Sequence, residues 1–143
     1  MKVRDIHRTI TIKPPVVFEE DPIERVVEVL LKDPRSRSVY VVNKKEELTG
    51  IIPTSIVLKT THILKGKRTV AKEDAYDALK ISKAKIAKDI MLPPIYVLED
   101  EDIVDALEAM VAEKIEELPV VDEDKKVIGD LNCMEIIKNL WSK

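Results

Sequence analysis

The residues best suited by type and spacing to do chemistry run Gly129-Asp130-Leu131-Asn132-Cys133-Met134-Glu135, where an amide side chain is followed three positions later by a carboxylate. At a helix start this spacing has a structural use of its own. Asn132 caps the first backbone N–H groups, and Glu135 sits in the first turn, where the helix dipole favours negative charge. Arg35 and Arg37, in the turn Asp33-Pro34-Arg35-Ser36-Arg37, could grip a phosphate in a forked geometry or form a solvated charge pair. The acidic runs Glu99 to Asp102 and Asp122 to Asp124 have the oxygens of a hard-cation site, but such runs are more often a helix N-terminus and a hairpin turn. His7 and His62 lie far apart, neither has a ligand-spaced partner, and no nucleophile, base and orienting group assembles around them. Gly50, Gly66 and Gly129 are too widely spaced for a P-loop or a dinucleotide-binding turn. These residues point to binding or assembly rather than catalysis.

What must position them is a chain of two similar halves. VVNKKEELTGIIPTSIVL, from Val41, and VVDEDKKVIGDLNCMEII, from Val120, share their apolar runs, charged turn and glycine at an offset of 79. In the first half Val16 to Phe18 predicts a short strand. The next helix has Asp21 as N-cap, Pro22 in its first turn, Glu24 closing a capping box, and the apolar stripe Ile23, Val26, Val27, Leu30, Leu31. SVYVV and LTGII then form a hairpin around NKKEE, followed by a helix from about Thr54 to Lys65. The second half repeats this order: strand Ile95 to Leu98; helix Asp102 to Glu113 with stripe Ile103, Ala106, Leu107, Met110, Val111; hairpin ELPVV and VIGDL; and a helix from Cys133 to about Leu140. Pro14-Pro15 matches Pro93-Pro94 at 79, the strand and first helix match at 80, and the hairpin returns to 79, which places one inserted residue in DPRSR. This is a tandem repeat. Cys133 stands at a helix start that could lower its pKa, but its counterpart is Thr54, so a small packing residue is the simpler reading. Residues 1–66 form the first unit, 85–143 the second, and 67–84 a charged connector. Val70, Tyr76, Leu79 and Ile86 give the connecting stretch an amphipathic pattern, which predicts a helix covering the seam.

Composition bounds the function. With 27 acidic and 24 basic residues, a net charge of -3 and a pI near 5.5, no global field draws the chain to nucleic acid or anionic membrane. No apolar run approaches the roughly 20 residues that span a bilayer, and the N-terminus has no signal-peptide core. The single cysteine rules out an internal disulfide and a multi-cysteine zinc site, and cytoplasm is the default compartment. Charged residues at 36%, few aromatics and no glutamine lean toward a thermophilic source.

With D-I-x…P-x-x-V-x-x-x-D/E-x-x-I, then L-P-V-V-D-x-x-x-x-x-x-G, the two units resemble CBS domains, and the chain is similar to a stand-alone CBS-domain pair. The resemblance is carried most closely by DIMLPPIYVLEDEDIVDALEAM and ELPVVDEDKKVIGDL, more loosely by RDI, VYVVN and LTGII. It implies an α+β fold of two β-α-β-β-α repeats packed sheet to sheet about a pseudo-twofold axis, often assembled as a homodimer. It also implies adenosine-containing ligands such as AMP, ADP, ATP or S-adenosylmethionine in the clefts between repeats, with no catalytic residues and no metal.

In this family a G-h-x-T/S-x-x-D pattern holds ribose and phosphate. The first unit has Pro53 and Ile56 at those positions; the second keeps Asn132 and Glu135, so its cleft is the better candidate. By the same resemblance Leu131 and Met134 flank that cleft, and Ile10, Thr11, Pro15, Val16 and Val17 supply the base-binding wall. Arg35 and Arg37 stand at the phosphate end, with Glu116 and Glu117 opposing them, a balance that suits a ligand of low charge or a zwitterion as readily as a triphosphate. The implied role is a ligand sensor that signals to an effector protein. The alternatives are a ligand-free dimerisation scaffold and a magnesium sensor built on the acidic runs.

Overall fold

The computed structural model describes residues 1–7, 13–66 and 75–142. Each half forms one three-stranded sheet. In the first, β1 (Val16–Phe18) runs parallel to β2 (Ser38–Val42), which pairs antiparallel with β3 (Leu48–Pro53). In the second, β4 (Val97–Leu98) runs parallel to β5 (Glu117–Val121), which pairs antiparallel with β6 (Val127–Asn132). The helices are α1 (Val3–His7), α2 (Ile23–Leu31), α3 (Thr54–Lys65), α4 (Ala75–Ser82), α5 (Ile103–Glu113) and α6 (Cys133–Trp141). Among the described residues no helix is long and apolar enough to cross a membrane.

The repeat holds at atomic detail. Asn43 Oδ1 accepts from the N–H groups of Lys45 and Glu47, and Asp122 Oδ1 accepts from those of Asp124 and Lys126. The acidic run at 122–124 is therefore a turn whose leading carboxylate folds its own backbone. Glu46 (φ 64°) and Lys125 (φ 61°) take the same left-handed position, and each hairpin has its register shift one residue before its strand ends, after Val41 and after Val120.

The expected cap on α2 is different from the observed one. Asp21 turns back to accept from Phe18 N at 2.8 Å, Pro22 holds the N-cap position without a side-chain bond, and the Ile23 N–H is satisfied by Lys85 O at 3.2 Å. In the second unit Glu101 takes the role of Asp21 by accepting from Leu98 N, while Asp102 caps α5 through Val104 N at 3.0 Å. The stripes bury Ile23, Val26 and Leu30, and Ile103, Ala106 and Met110; Leu31 and Val111 instead face outward, 73% and 71% exposed. Within the connector, α4 packs on α3, and among its described side chains Ile81 is buried while Leu79 is exposed. Val70 and the side chain of Tyr76 lie outside the described residues.

Helix α5 ends on Lys114 in a left-handed conformation (φ 56°, ψ 44°). A side chain with a Cβ is disfavoured there by about 1–2 kcal/mol, and glycine is not. Lys114→Gly therefore stabilises the protein by about 0.5–1 kcal/mol, net of the entropy glycine adds to the unfolded chain, readable as a higher urea midpoint at unchanged slope.

The two units exchange their leading segments. Val3 and Ile6 of α1 pack in the core of the second unit, whereas Ala87 and Ile90, in the segment of the second unit that leads into β4, pack in the core of the first. Met1 O accepts from Ile103 N as Lys85 O accepts from Ile23 N. Leu92 exchanges two backbone hydrogen bonds with Ile51, so its segment pairs antiparallel with β3 beside Gly50. A Cβ on Gly50 would lie 2.8 Å from Met91 Cγ; one on Gly129 would lie 2.5 Å from His7 Nδ1. The matched glycines thus mark where each unit is crossed by the lead segment of the other.

Candidate functional site

The two sheets meet along β2 and β5. Repeat-equivalent residues touch each other only near a pseudo-twofold axis, and two such pairs do so: Ser38 with Glu117, and Glu47 with Lys126. Beside this axis a cleft of about 590 Å³ opens, within the ~300–1,000 Å³ usual for small-molecule sites. It gathers Lys13, Pro15, Arg35, Arg37, Asn132, Met134 and Glu135, residues distant in sequence.

Each polar group is held by the local fold. Asn132, the last residue of β6, caps α6 by accepting from Met134 N at 2.9 Å, while its Nδ2 donates across the cleft to Arg35 O at 3.0 Å. Glu135 closes the capping box, Oε1 accepting from Asn132 N at 3.3 Å. Its Oε2 is buried and has no hydrogen-bond partner among the described residues. Capping thus accounts for one oxygen and leaves the other unpartnered among the described residues.

Glu117 departs most from expectation. Rather than lining a phosphate end as a surface charge, it is 4% exposed, and its Oε1 accepts from Arg37 N at 3.0 Å and Ser38 N at 3.1 Å across the unit boundary. Beside it Asp130 Oδ2 accepts from Tyr40 OH at 3.2 Å; Tyr40 is fully buried and belongs to the other unit. Burial pushes Glu117 up to about 7 and Asp130 up to about 6, and raises Glu135 as well. Burial, followed by the neighbouring Glu117 and Asp130 carboxyls, also raises Tyr40 well above its ordinary value. The Cys133 thiol is also raised, by burial first and then by Glu116, which overrides any lowering by the helix start.

These shifts set the sign of a pH dependence. Glu117 and Asp130 bind a proton more tightly folded than unfolded, so their contribution is fully present below the unfolded values and is lost as pH rises through about 6 to 7. Urea unfolding is therefore expected to show a more stable protein at pH 5 than at pH 8, with the slope reduced in Glu117→Gln. Asp33, Asp89 and Asp102, whose leading influences are backbone N–H groups that lower them, oppose this only as pH falls below about 4.

Other expected contacts sort clearly. Val16 lines an adjoining hollow of about 650 Å³ that shares Lys13, Pro15, Asp33 and Ser36 with the cleft. Val17 and Leu131 are in the two cores, 2% and 0% exposed, because strand alternation turns them away from the cleft. Ile10 and Thr11 lie outside the described residues. The arginines flank the cleft but are already engaged: Arg35 Nε with Asp33 at 3.3 Å, Arg37 Nη1 with Pro34 O and Ser36 O, and Arg37 Nε with Glu116 at 3.7 Å. His7 is buried and bonds Glu99 at 3.0 Å. Among the described residues no group of three or more His, Cys, Asp or Glu side chains could hold a metal ion.

The CBS domain model matches residues 3–61 and 87–142, one match per unit. The chain belongs to the CBS domain family. Protein MJ1426 of Methanocaldococcus jannaschii is 31% identical over 98% of this chain and 91% of its own. The CBS domain-containing protein TM0935 of Thermotoga maritima is 39% identical, with a TM-score of 0.78 over 99% of this chain and 94% of its own. The CBS domain pair of protein MJ0100, solved in complex with 5′-methylthioadenosine and S-adenosyl-L-methionine, is 22% identical, with a TM-score of 0.70 over 98% and 95% of the chains. CBS pairs with this fold thus include one that binds adenosine ligands, and the α+β two-repeat architecture expected from sequence is the one observed.

Sequence reasoning missed Asp130, Tyr40 and the inward turn of Glu117. One signal was present. Ser38 and Glu117 are equivalents at the offset of 79, as are Ile51 and Asp130, so a polar cluster near the axis could have been read from the repeat itself.

Proposed function

We propose that this CBS pair is a non-catalytic regulatory module that binds an adenosine-containing ligand in the Asn132/Glu135 cleft and signals the bound state to a partner protein through a change in the packing of its two units. The observation that carries this reading is Glu135 Oε2, a buried carboxylate oxygen with no partner among the described residues, placed in a cleft between units whose contacts run through Glu117 and Asp130. A carboxylate in that position accepts hydrogen bonds from a ribose diol. A ligand that binds one arrangement of the units better than another shifts their equilibrium, which is all a sensor requires.

The test is thermal unfolding with AMP, ADP, ATP or S-adenosylmethionine. A ligand at about 100 times its Kd is expected to raise the midpoint by roughly 5–10 °C. Glu135→Ala lowers the starting midpoint through its lost cap and abolishes the ligand-dependent rise. No rise with any of the four compounds sinks the reading.

A second reading, assembly without ligand, is favoured by the apolar surface left on α3 and α6: Leu58 at 70%, Met134 at 66% and Trp141 at 85% exposure. It requires self-association in sedimentation and no ligand-dependent rise.

A further inference from the structure

We propose that the cleft bounded by Glu117, Asp130 and Glu135 selects adenosine derivatives whose 5′ substituent is uncharged or net positive, and disfavours nucleotides. This rests on the adenosine-ligand reading and narrows it to a chemical class.

Part of the donor set a phosphate would need is committed elsewhere, and the acidic side chains Asp33, Glu116, Glu117, Asp130 and Glu135 that line the cleft outnumber its cations Lys13, Arg35 and Arg37. Arg37 Nη1 donates to Pro34 O at 2.8 Å and Ser36 O at 3.0 Å, its Nε faces Glu116 at 3.7 Å, and Arg35 Nε donates to Asp33 Oδ1 at 3.3 Å. Lys13, at the mouth, is a point charge on a flexible stem and offers no preformed fork. Acceptors, by contrast, are in surplus. Glu135 Oε2 has no partner among the described residues, and Glu117 Oε2 receives a long 3.5 Å contact from Asn132 Nδ2. Asp130 lines the cleft with Tyr40 OH donating to one oxygen. Spare buried acceptors suit a ligand rich in O–H and N–H groups or carrying positive charge, whereas an anion placed among them meets like charge.

Proton linkage gives the class a signature. With Glu117 raised to about 7 and Asp130 to about 6, a cationic ligand holds both carboxyls ionised and releases protons as it binds. Its affinity therefore rises between pH 6 and pH 8, while a bound phosphate would take up protons and weaken over the same range.

The experiment is isothermal titration of the full chain with S-adenosylmethionine, 5′-methylthioadenosine, adenosine, AMP and ATP at pH 6 and pH 8. At pH 8, S-adenosylmethionine is expected to bind at least about tenfold more tightly than AMP, with a gap that narrows at pH 6 and in Asp130→Asn. AMP or ATP binding as tightly as S-adenosylmethionine at pH 8, or more so, overturns the selectivity while leaving the adenosine reading intact. Binding by none of the five overturns that reading and the selectivity with it.

Discussion

Gly129→Ala destabilises the protein by about 1–3 kcal/mol, the usual cost of forcing a side chain into an occupied core. Its new Cβ would stand 2.5 Å from His7 Nδ1, and the ring is not the free end of a flexible chain. His7 is 7% exposed, is held by Glu99 at 3.0 Å, and belongs to α1, whose Val3 and Ile6 are buried in the same core. Relief therefore requires α1 to move off β6. Denaturant unfolding measures the loss, and a double-mutant cycle locates it: His7→Ala should recover most of the Gly129→Ala cost while being destabilising alone. Additive effects of the two substitutions would show that the glycine is needed for some other reason.

Glu117→Ala costs about 2–4 kcal/mol. The substitution leaves the Arg37 and Ser38 N–H groups without the oxygen that satisfies both, and each stranded buried donor is worth about 1–3 kcal/mol. Removing a carboxyl whose ionisation burial already opposes returns part of this, which keeps the sum below the upper bound. Glu117→Gln keeps one acceptor in place and is expected to lose less than half as much near pH 8. Equal losses in the two variants would mean that volume, not the hydrogen bonds across the unit boundary, is what Glu117 supplies.

How much of this was legible in the sequence depended on whether the signal was local. Turn chemistry is local: Asn43 and Asp122 each fold their own hairpin, so the offset of 79 carried through to matching hydrogen bonds. The cap at Asn132 was legible for the same reason, and the run Glu99 to Asp102 read as a helix N-terminus, where Asp102 caps α5. Pro22 hid the third start, since Asp21 bonds the preceding strand and the helix donor is met by Lys85, more than sixty residues away. The five residues of α1 are too few to show a helical period, although Val3, Ile6 and His7 share one buried face. Glu117 looked like a surface charge because its environment comes from the other unit, and both faces of a strand at the axis are covered: every residue of β5 is buried. Val17 and Leu131 were placed near the ligand by likeness to the family, but here their side chains fill the cores.

The two units share a backbone and differ at the cleft. Where the second has Glu117, Asp130, Asn132 and Glu135, the first has Ser38, Ile51, Pro53 and Ile56, and Ile51 and Pro53 are buried. A cleft lined by the latter set has neither a carboxylate for a ribose nor an amide for a neighbouring oxygen. One chain should therefore bind one ligand.

The most direct measurement is the number of S-adenosylmethionine or adenosine molecules bound per chain at saturation, by equilibrium dialysis, for the wild type and Glu135→Ala. The expected result is one per wild-type chain and none per variant chain at the same concentration. Two per chain, or one that survives Glu135→Ala, would contradict the assignment of the site to the cleft of the second unit.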